Sequence, residues 1–438
     1  MNTIVIILSR FILTFFSALY AFSCFNVFRY KTEVSRKYIY MRQRIYIFCV
    51  YSISFLDLYI ETSDINYLKY YLVSVLCINL VIILTPIIYK RANRLIINNM
   101  CMLLSIGFVM ICRLSFDKAV RQFVIAMFAI IISSFIPFII SKGPFFSKFK
   151  WTYAICGIVL LLFVLIFSVA TNGAKLSITI FSVTFQPSEF VKVIFVFAMA
   201  SFLAKANGFR DIVVATSVAA AHVLVLVCSK DLGGAVILFV VYICMLYVAT
   251  CNVFYLLLGA LSGSFAALVG YKLFSHVRVR VNAFIRPFET IENAGYQIAQ
   301  SLFAICTGGF WGLGLKRGMP NTIPVVASDF IYSAICEEFG GVFGICLILI
   351  CLSSFILIMN IAMKFSNSFY KYVAVGLGVT YVFQVLLTIG GVTKFIPLTG
   401  VTLPFVSYGG TSILVTVFMF AIVQGLYIGR NDIISEKS

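Results

Sequence analysis

The sequence predicts an all-α protein that crosses a membrane many times, because its composition and the length of its apolar runs both favour this fold class. Of the 438 residues, 62% are hydrophobic and 11% are charged, with a mean hydropathy of +1.08, whereas a soluble domain is about half apolar and a quarter charged. Apolar runs of about 20 residues, the length that crosses roughly 30 Å of hydrocarbon, recur along the chain. Lipid offers no hydrogen bonds, so helices are expected to pair the backbone polar groups of these runs. A water-soluble monomer is excluded.

About thirteen apolar runs are long enough to cross a membrane as helices. They fall near residues 3–28, 45–60, 67–89, 97–114, 122–140, 152–170, 189–204, 212–228, 233–250, 253–271, 331–362, 372–391 and 408–428. The run at 45–60 is the weakest of these predicted spans, because it is short and contains Asp57. Without it, the N-terminus would move to the other face of the membrane, and the remaining spans would keep their orientation.

The placement of basic residues predicts the orientation of these spans, because Lys and Arg concentrate in cytoplasmic connectors. On this rule the cytoplasmic segments are 29–44, 90–96, 142–150, 205–210, 364–371 and the tail 431–438, and the outer connectors are 171–187 and 272–330. The N-terminus then lies outside and the C-terminus inside. The net charge of +18 belongs to short connectors rather than to one soluble face, so no nucleic-acid partner is expected.

Two charged residues, Glu189 and Lys192, stand at the start of the apolar run at 189–204. Pro187 and Ser188 are typical first-turn residues of a helix, which would place the two charged side chains three apart on one face. Ionisable groups within spans are costly and usually line a cavity or a pathway. The spacing alone is consistent with a structural ion pair and with a cavity-lining pair.

Two aspartates stand where connectors enter spans. Asp231 is best interpreted as a helix cap, because a carboxylate favours the amide end of a helix. Asp329 ends the longest connector, where a carboxylate can cap a helix or act as a general base beside the membrane surface. The residue alone leaves these two roles open. Glu337 and Glu338, about two turns deeper, are expected to form hydrogen bonds inside the bundle.

The 272–330 connector begins with a cationic cluster on the face where the positive-inside rule predicts few basic residues. The members of this cluster are His276, Arg278, Arg280 and Arg286. Arginine forms paired hydrogen bonds to phosphate oxygens, so an anionic lipid or a diphosphate is an expected partner, although snorkelling toward lipid headgroups accounts for part of the cluster.

Residues 397–412 combine prolines and glycines at a density that breaks a helix. Irregular backbone at membrane depth is tolerated only where it is buried in protein or lines a water-filled cavity. This segment, which includes Ser407, is therefore expected to be re-entrant or broken beside a substrate cavity.

Taken in order, these motifs resemble the signature series of the shape, elongation, division and sporulation (SEDS) family, which includes FtsW, RodA and SpoVE. The matching stretches are 186–192, 231–233, 295–297, 328–331, 337–340 and 397–412, together with the Arg-Gln pair at 121–122. The resemblance covers about residues 97–430 and implies a ten-helix core with both ends cytoplasmic, in the bacterial cytoplasmic membrane. Residues 1–96 would add about three N-terminal transmembrane helices.

The resemblance implies a peptidoglycan glycosyltransferase that polymerises lipid II at the outer face of the membrane and releases undecaprenyl diphosphate. Its expected partner is a class B penicillin-binding transpeptidase. Asp329 would be the catalytic base. The residues expected to contact the substrate are Glu189, Lys192, Arg121, Asp231, Arg278, Arg280, Gln297 and Ser407. A divalent cation, Mg²⁺ or Mn²⁺, is left open as a cofactor, and no metal ligand is assigned.

Two other functions are compatible with these motifs. A lipid II transporter would also use broken helices and a polar cavity, and a non-catalytic scaffold would recruit the transpeptidase. Among the three functions, only the enzyme needs a general base at Asp329. The chain departs from the usual family residues at 229–230, 327–328 and Thr388, which leaves the choice between division, elongation and sporulation undecided.

Overall fold

A computed structural model describes residues 2–30, 32–141, 144–168, 178–180, 183–206, 208–292 and 294–435, and the chain is mostly helical within these ranges. The first ten helices are α1 (Asn2–Arg29), α2 (Glu33–Thr62), α3 (Ile65–Ile88), α4 (Arg94–Leu114), α5 (Phe116–Ser133), α6 (Ile136–Ser141), α7 (Lys150–Phe167), α8 (Pro187–Leu203), α9 (Phe209–Cys228) and α10 (Leu232–Thr250). The others are α11 (Val253–Leu273), α12 (Ser275–Ile285), α13 (Tyr296–Gly308), α14 (Ile331–Phe339), α15 (Gly341–Ala362), α16 (Ser368–Val392) and α17 (Gly410–Ser435).

Every predicted span corresponds to one or more of these helices, so the all-α membrane fold is confirmed. In the described ranges, twelve helical stretches have the length and hydropathy needed to cross a membrane, with α5 and α6 counted together. The thirteenth predicted span is α8, whose 17 residues pack against α7, α10 and α16. A short antiparallel hairpin of β1 (Ile178–Ile180) and β2 (Val183–Phe185) precedes α8. The sequence does not predict this hairpin, because three-residue strands are too short to show a pattern.

Two predicted boundaries differ from the structure. The connector at 29–44 is mostly helical, because α2 begins at Glu33 and carries basic residues on its first three turns. The run at 331–362 forms two helices, because the backbone turns at Gly340 with a φ of +93°. A Cβ at this position would lie 2.4 Å from the Gly312 amide nitrogen, so this crossing requires glycine. Parts of the 171–187 connector and of the 431–438 tail lie outside the described residues.

Helix α4 is the centre of the bundle, and its residues from Leu95 to Arg113 are buried. Asn99 on α4 accepts a hydrogen bond from the Tyr20 hydroxyl of α1 (2.9 Å). The Asn99 amide also donates to the hydroxyls of Ser353 and Ser354 on α15, at 2.9 Å each. The Asn99 side chain therefore joins the N-terminal helix α1 to α4 and α15 of the core.

The 272–330 connector contains short helices that lie against the bundle. Residues 298–305 lie within the helix α13. Ile298 and Ala304 are buried there, whereas Phe303 on the other face is exposed. This piece is therefore amphipathic, with its apolar buried face toward the bundle.

We expect Asn99→Ala to reduce the stability of the purified protein, because the Tyr20 hydroxyl loses its buried partner. Hydrogen bonds between membrane helices contribute roughly 0.6–1.7 kcal/mol each, so a loss of about 1–2 kcal/mol in the free energy of unfolding is expected. Loss of helicity during titration with a denaturing detergent measures this quantity. Ser105→Ala is the matched control, because Ser105 donates to the Cys101 carbonyl of its own helix. Equal losses in the two variants would contradict the bridging role of Asn99.

Candidate active site around an irregular segment

The chain between α16 and α17 includes an irregular segment, residues 397–409, that side chains from other elements hold in place. Two of these side chains lie on α16. Thr388 Oγ1 donates to the Val401 carbonyl (2.9 Å), and Gln384 Nε2 donates to the Thr402 carbonyl (3.0 Å). The predicted break in the helix at this point is confirmed, and these two of its backbone carbonyls are paired by side chains of the bundle.

The start of α10 and the helix α12 approach the same segment. Asp231 caps α10 by accepting a hydrogen bond from the Gly234 amide (2.9 Å), as the capping interpretation predicts. At Gly233 a Cβ would lie only 3.2 Å from the Thr399 carbonyl oxygen. The Arg280 guanidinium of α12 donates to that same carbonyl (3.2 Å). The residues 231–234 and 280 are therefore brought together, at the first half of the segment.

Gln122 on α5 holds the second half of the segment. Its amide nitrogen donates to the Ser407 carbonyl (2.9 Å), and its amide oxygen accepts from the Gly409 backbone N–H (3.0 Å). The Ser407 hydroxyl accepts from the Leu403 amide (2.9 Å) and donates to the Ser328 carbonyl. Ser407 was predicted to contact substrate, but its hydroxyl is engaged within the protein, where it ties the segment to the end of the 272–330 connector.

Asp329 directly follows Ser328, whose carbonyl accepts the Ser407 hydrogen bond, and it is half-buried. Its Oδ2 lies 3.5 Å from the point that a Cβ would occupy at Gly400. The cap position of α14 is Phe330, and no side chain forms a cap hydrogen bond there, so the capping interpretation of Asp329 is wrong. Burial raises the pKa of the Asp329 carboxyl, while a hydrogen bond with Ser328 and the charge of Arg280 act in the opposite direction. A carboxyl with this combination of burial and a cationic neighbour is a candidate base.

Glu189 and Lys192 form an ion pair of 2.8 Å and are 8% and 4% exposed. Helix α8 begins at Pro187, as predicted, so the two side chains share one face of its first turns. Lys192 Nζ also donates to Gln384 Oε1 (3.0 Å). The other end of the Gln384 amide holds the 397–409 segment. The ion pair therefore supports that segment through Gln384, which agrees with the structural interpretation of the pair.

Three other residues predicted to contact substrate form no side-chain hydrogen bond or ion pair with the described part of the chain. Arg121 and Arg278 are exposed, and Gln297 is half-buried on the first turn of α13. Their roles stay predictions.

Three buried polar residues, Gln122, Gln384 and Arg113, were not assigned to the site from the sequence, although Gln122 was noted as part of the Arg-Gln pair. Each interrupts an otherwise apolar span, and polar side chains within spans usually face the bundle interior. That rule could have identified all three. Gln122 also directly follows Arg121, the member of the Arg-Gln pair that was assigned to substrate.

Arg113 on α4 anchors the two glutamates of α14. Its Nε lies 2.6 Å from Glu338 Oε1, and its Nη2 donates to the Gly318 carbonyl (2.8 Å). Glu337 Oε1 accepts from the Met319 amide (2.8 Å). The predicted hydrogen-bonding role of both glutamates is confirmed. Together they fix the part of the connector that leads to Asp329.

A divalent cation finds no ready set of protein ligands. No group of three or more His, Cys, Asp or Glu side chains within the described ranges is placed to hold a metal ion. Mg²⁺ and Mn²⁺ are held mainly by oxygen ligands, whereas the charged neighbour of Asp329 is the Arg280 cation. The described residues therefore offer no complete set of protein ligands for a resident metal ion, and no catalytic step is routed through one.

Comparison with known proteins gives consistent matches. Residues 93–430 match the family model FTSW_RODA_SPOVE, described as a cell cycle protein. The peptidoglycan glycosyltransferase RodA of Mycobacterium tuberculosis (strain ATCC 25618 / H37Rv) is 37% identical over 270 residues, which cover 58% of this chain and 57% of that protein. Stage V sporulation protein E of Bacillus subtilis (strain 168) is 30% identical over 328 residues, covering 72% and 88%. The chain thus spans less than two thirds of the length of its RodA relative.

Solved structures share the fold of this chain. A chain from "Structural coordination of polymerization and crosslinking by a peptidoglycan synthase complex" aligns with a TM-score of 0.65 and 21% identity, covering 78% of this chain and 98% of that one. The rod shape determining protein RodA of Thermus thermophilus aligns with a TM-score of 0.56 and 20% identity, covering 77% and 96%. The polytopic core is therefore the same in all three.

We expect Asp329→Asn to raise the melting temperature at neutral pH. Because burial raises the carboxyl's pKa in the folded state, the stability from protonated Asp329 is present in acid and is lost as pH rises through the folded pKa. Asparagine carries no charge that must be desolvated. The difference in melting temperature between the variant and the parent should therefore vanish below about pH 4, the usual pKa of an Asp carboxyl.

Thermal unfolding of parent and variant across this pH range measures the effect. Asp64→Asn is the control, because Asp64 is an exposed cap of α3 and asparagine caps a helix about as well. Equal melting temperatures of the parent and Asp329→Asn at pH 7 would contradict the burial of this charge.

Proposed function

Because the chain belongs to the FtsW, RodA and SpoVE family of cell cycle proteins, we propose that it is a peptidoglycan glycosyltransferase, the activity for which its RodA relative is named. Its substrate is lipid II, which it joins into glycan strands. The observation that supports this proposal most strongly is the Asp329 carboxyl, half-buried beside Arg280 and bonded to no helix end. A transporter or a scaffold has no need of a base in that position.

Asp329 acts as the general base of the transfer. Its carboxylate accepts the proton of the acceptor sugar's hydroxyl while that oxygen bonds to the anomeric carbon of the lipid-linked donor. The bond from that carbon to the diphosphate breaks, and undecaprenyl diphosphate leaves with the electron pair. A carboxyl with a raised pKa binds the proton more readily than an ordinary Asp, which favours transfer near neutral pH.

Cationic and neutral donors on α12, the helix that carries Arg280, suit a diphosphate leaving group. Burial, followed by the charges of Lys230 and Arg280, lowers the pKa of His276, which favours the neutral form of its ring. His276 Nε2 is buried and has no hydrogen-bond partner among the described residues. It can bond to a sugar or phosphate oxygen, while Arg280 and the exposed Arg278 supply positive charge on the same helix.

The partner and the orientation follow from the same proposal. The similar solved structure belongs to a complex whose description couples polymerization with crosslinking, which supports a class B penicillin-binding transpeptidase as the partner here. The 272–330 connector and Asp329 face the outside of the bacterial cytoplasmic membrane, where lipid II is consumed. The C-terminus faces the cytoplasm, and residues 1–96 form an N-terminal extension of the core.

We expect purified parent protein to polymerise lipid II in detergent, with and without its co-purified transpeptidase. Asp329→Asn should reduce the rate by at least about 10²-fold, because a carboxamide cannot accept the proton. Electrophoresis of labelled glycan strands measures the product. Asp64→Asn, far along the chain in the extension, should polymerise at the parent rate.

Two results would contradict this proposal. Polymerisation by Asp329→Asn at the parent rate would remove the base from the mechanism. Failure of both proteins to make strands with the partner present, while both move lipid II across vesicle bilayers, would favour the transporter.

A further inference from the structure

A basic cavity of about 300 Å³ lies where the first turns of α2, the α3–α4 connector and α17 meet. Five of its lining residues are cationic: Arg36, Lys37, Lys90, Arg91 and Arg94. The described lining residues include no Asp or Glu. Two aromatic residues, Tyr40 and Tyr427, complete the wall. Basic residues gather in cytoplasmic connectors in general, but that rule does not require residues 36–37 and 90–94 to converge on one cavity.

Two helices begin beside this cavity. Val34 on the first turn of α2 lines it, and so does Asn93, the cap residue of α4. The amide ends of helices favour anions, and their partial positive charge adds to that of the five cations. Charge and backbone geometry therefore both favour a ligand that carries phosphate.

An apolar groove between α3, α4, α5 and α17 lies next to the basic cavity. Residues that line the groove are close neighbours, along the chain, of residues that line the cavity. Tyr89 of the groove precedes Lys90 of the cavity, and Gln424 of the groove stands one helical turn before Tyr427 of the cavity. The groove thus continues from the basic cavity toward the hydrocarbon-spanning part of the bundle.

Gln424 is the unusual residue of the groove. It is 4% exposed, and neither its amide oxygen nor its amide nitrogen has a hydrogen-bond partner in the described part of the chain. A buried amide without partners is costly in an apolar setting. A ligand with an ester or hydroxyl group in the groove would satisfy it.

We propose that the basic cavity and the apolar groove together bind one anionic phospholipid. The headgroup phosphates contact the five cations, a glycerol or ester oxygen bonds to Gln424, and the first part of an acyl chain lies along the groove. Cardiolipin suits the site best, because it carries two phosphates, and basic pockets between membrane helices bind such headgroups.

This lipid site is distinct from the candidate active site. Arg94 and Arg113 lie at opposite ends of α4, which is 21 residues long and therefore spans roughly 30 Å. Arg94 lines the basic cavity, whereas Arg113 holds Glu338 near the connector that leads to Asp329. The lipid would bind at the opposite face of the bundle, at a surface that the N-terminal extension helps to build.

Binding of cardiolipin to the delipidated, detergent-solubilised full chain tests the proposal by native mass spectrometry. Lys90→Gln/Arg94→Gln should weaken cardiolipin binding by about tenfold or more, because each basic residue near a phosphate contributes to affinity. Lys205→Gln/Arg210→Gln is the matched control. It removes the same charge from exposed residues that the positive-inside rule assigns to the same face, and it should bind nearly as tightly as the parent.

Gln424→Leu provides an independent measurement. It should raise the melting temperature of the lipid-free protein and reduce the further rise that cardiolipin produces. Equal weakening in the two double variants would overturn the site, as would parental cardiolipin binding and stabilisation in Gln424→Leu. Equal binding of phosphatidylcholine, or complete displacement of cardiolipin by millimolar pyrophosphate, would overturn the assignment to an anionic lipid.

Discussion

The structure depends on one constraint, which is that irregular backbone inside a membrane bundle must have its polar groups paired by protein. Residues 397–409 form no regular helix, and the side chains of Thr388, Gln384 and Gln122 bond their carbonyls and amides instead. These bonds cross between helices that are distant in sequence. The shape of the segment is therefore set by α5 and α16 as much as by its own prolines and glycines. The buried pair of α8 takes part through Lys192, which orients Gln384.

The position of Asp329 follows from this arrangement. The Tyr408 amide donates to the Ala327 carbonyl (2.8 Å), and the Ser407 hydroxyl donates to the Ser328 carbonyl. Both bonds fasten the chain immediately before Asp329 to the irregular segment. From the other direction, Arg113 and Glu338 fix the approach of the connector. A half-buried carboxyl is thereby held against Gly400 and near Arg280, and its burial raises its pKa.

The spans were predictable from the sequence because their length and hydropathy are properties of continuous stretches. The broken segment at 397–412 was predictable for a similar reason, since prolines and glycines are local signals. For Asp329 the residue alone left a helix cap and a general base open, and only the family resemblance favoured the base. The turn at Gly340 and the hydrogen-bond partners of Gln122 could not be predicted from the sequence. They depend on contacts between residues far apart in sequence, such as Gly340 with Gly312. In the Arg-Gln pair the charged residue drew the assignment, yet it is exposed while Gln122 is buried.

The dependence of Asp329 on the irregular segment can be measured most directly with Gln122→Ala, through the rate of lipid II polymerisation. This change removes two bonds to the segment and leaves Asp329 itself intact. The rate should fall by about tenfold to a hundredfold, because small misplacements of a catalytic group are costly, while helicity is retained. Thr416→Ala is the matched control, since Thr416 donates to the Ser412 carbonyl of its own helix (2.7 Å), and it should keep the parent rate. A parental rate in Gln122→Ala would show that the segment does not position the base.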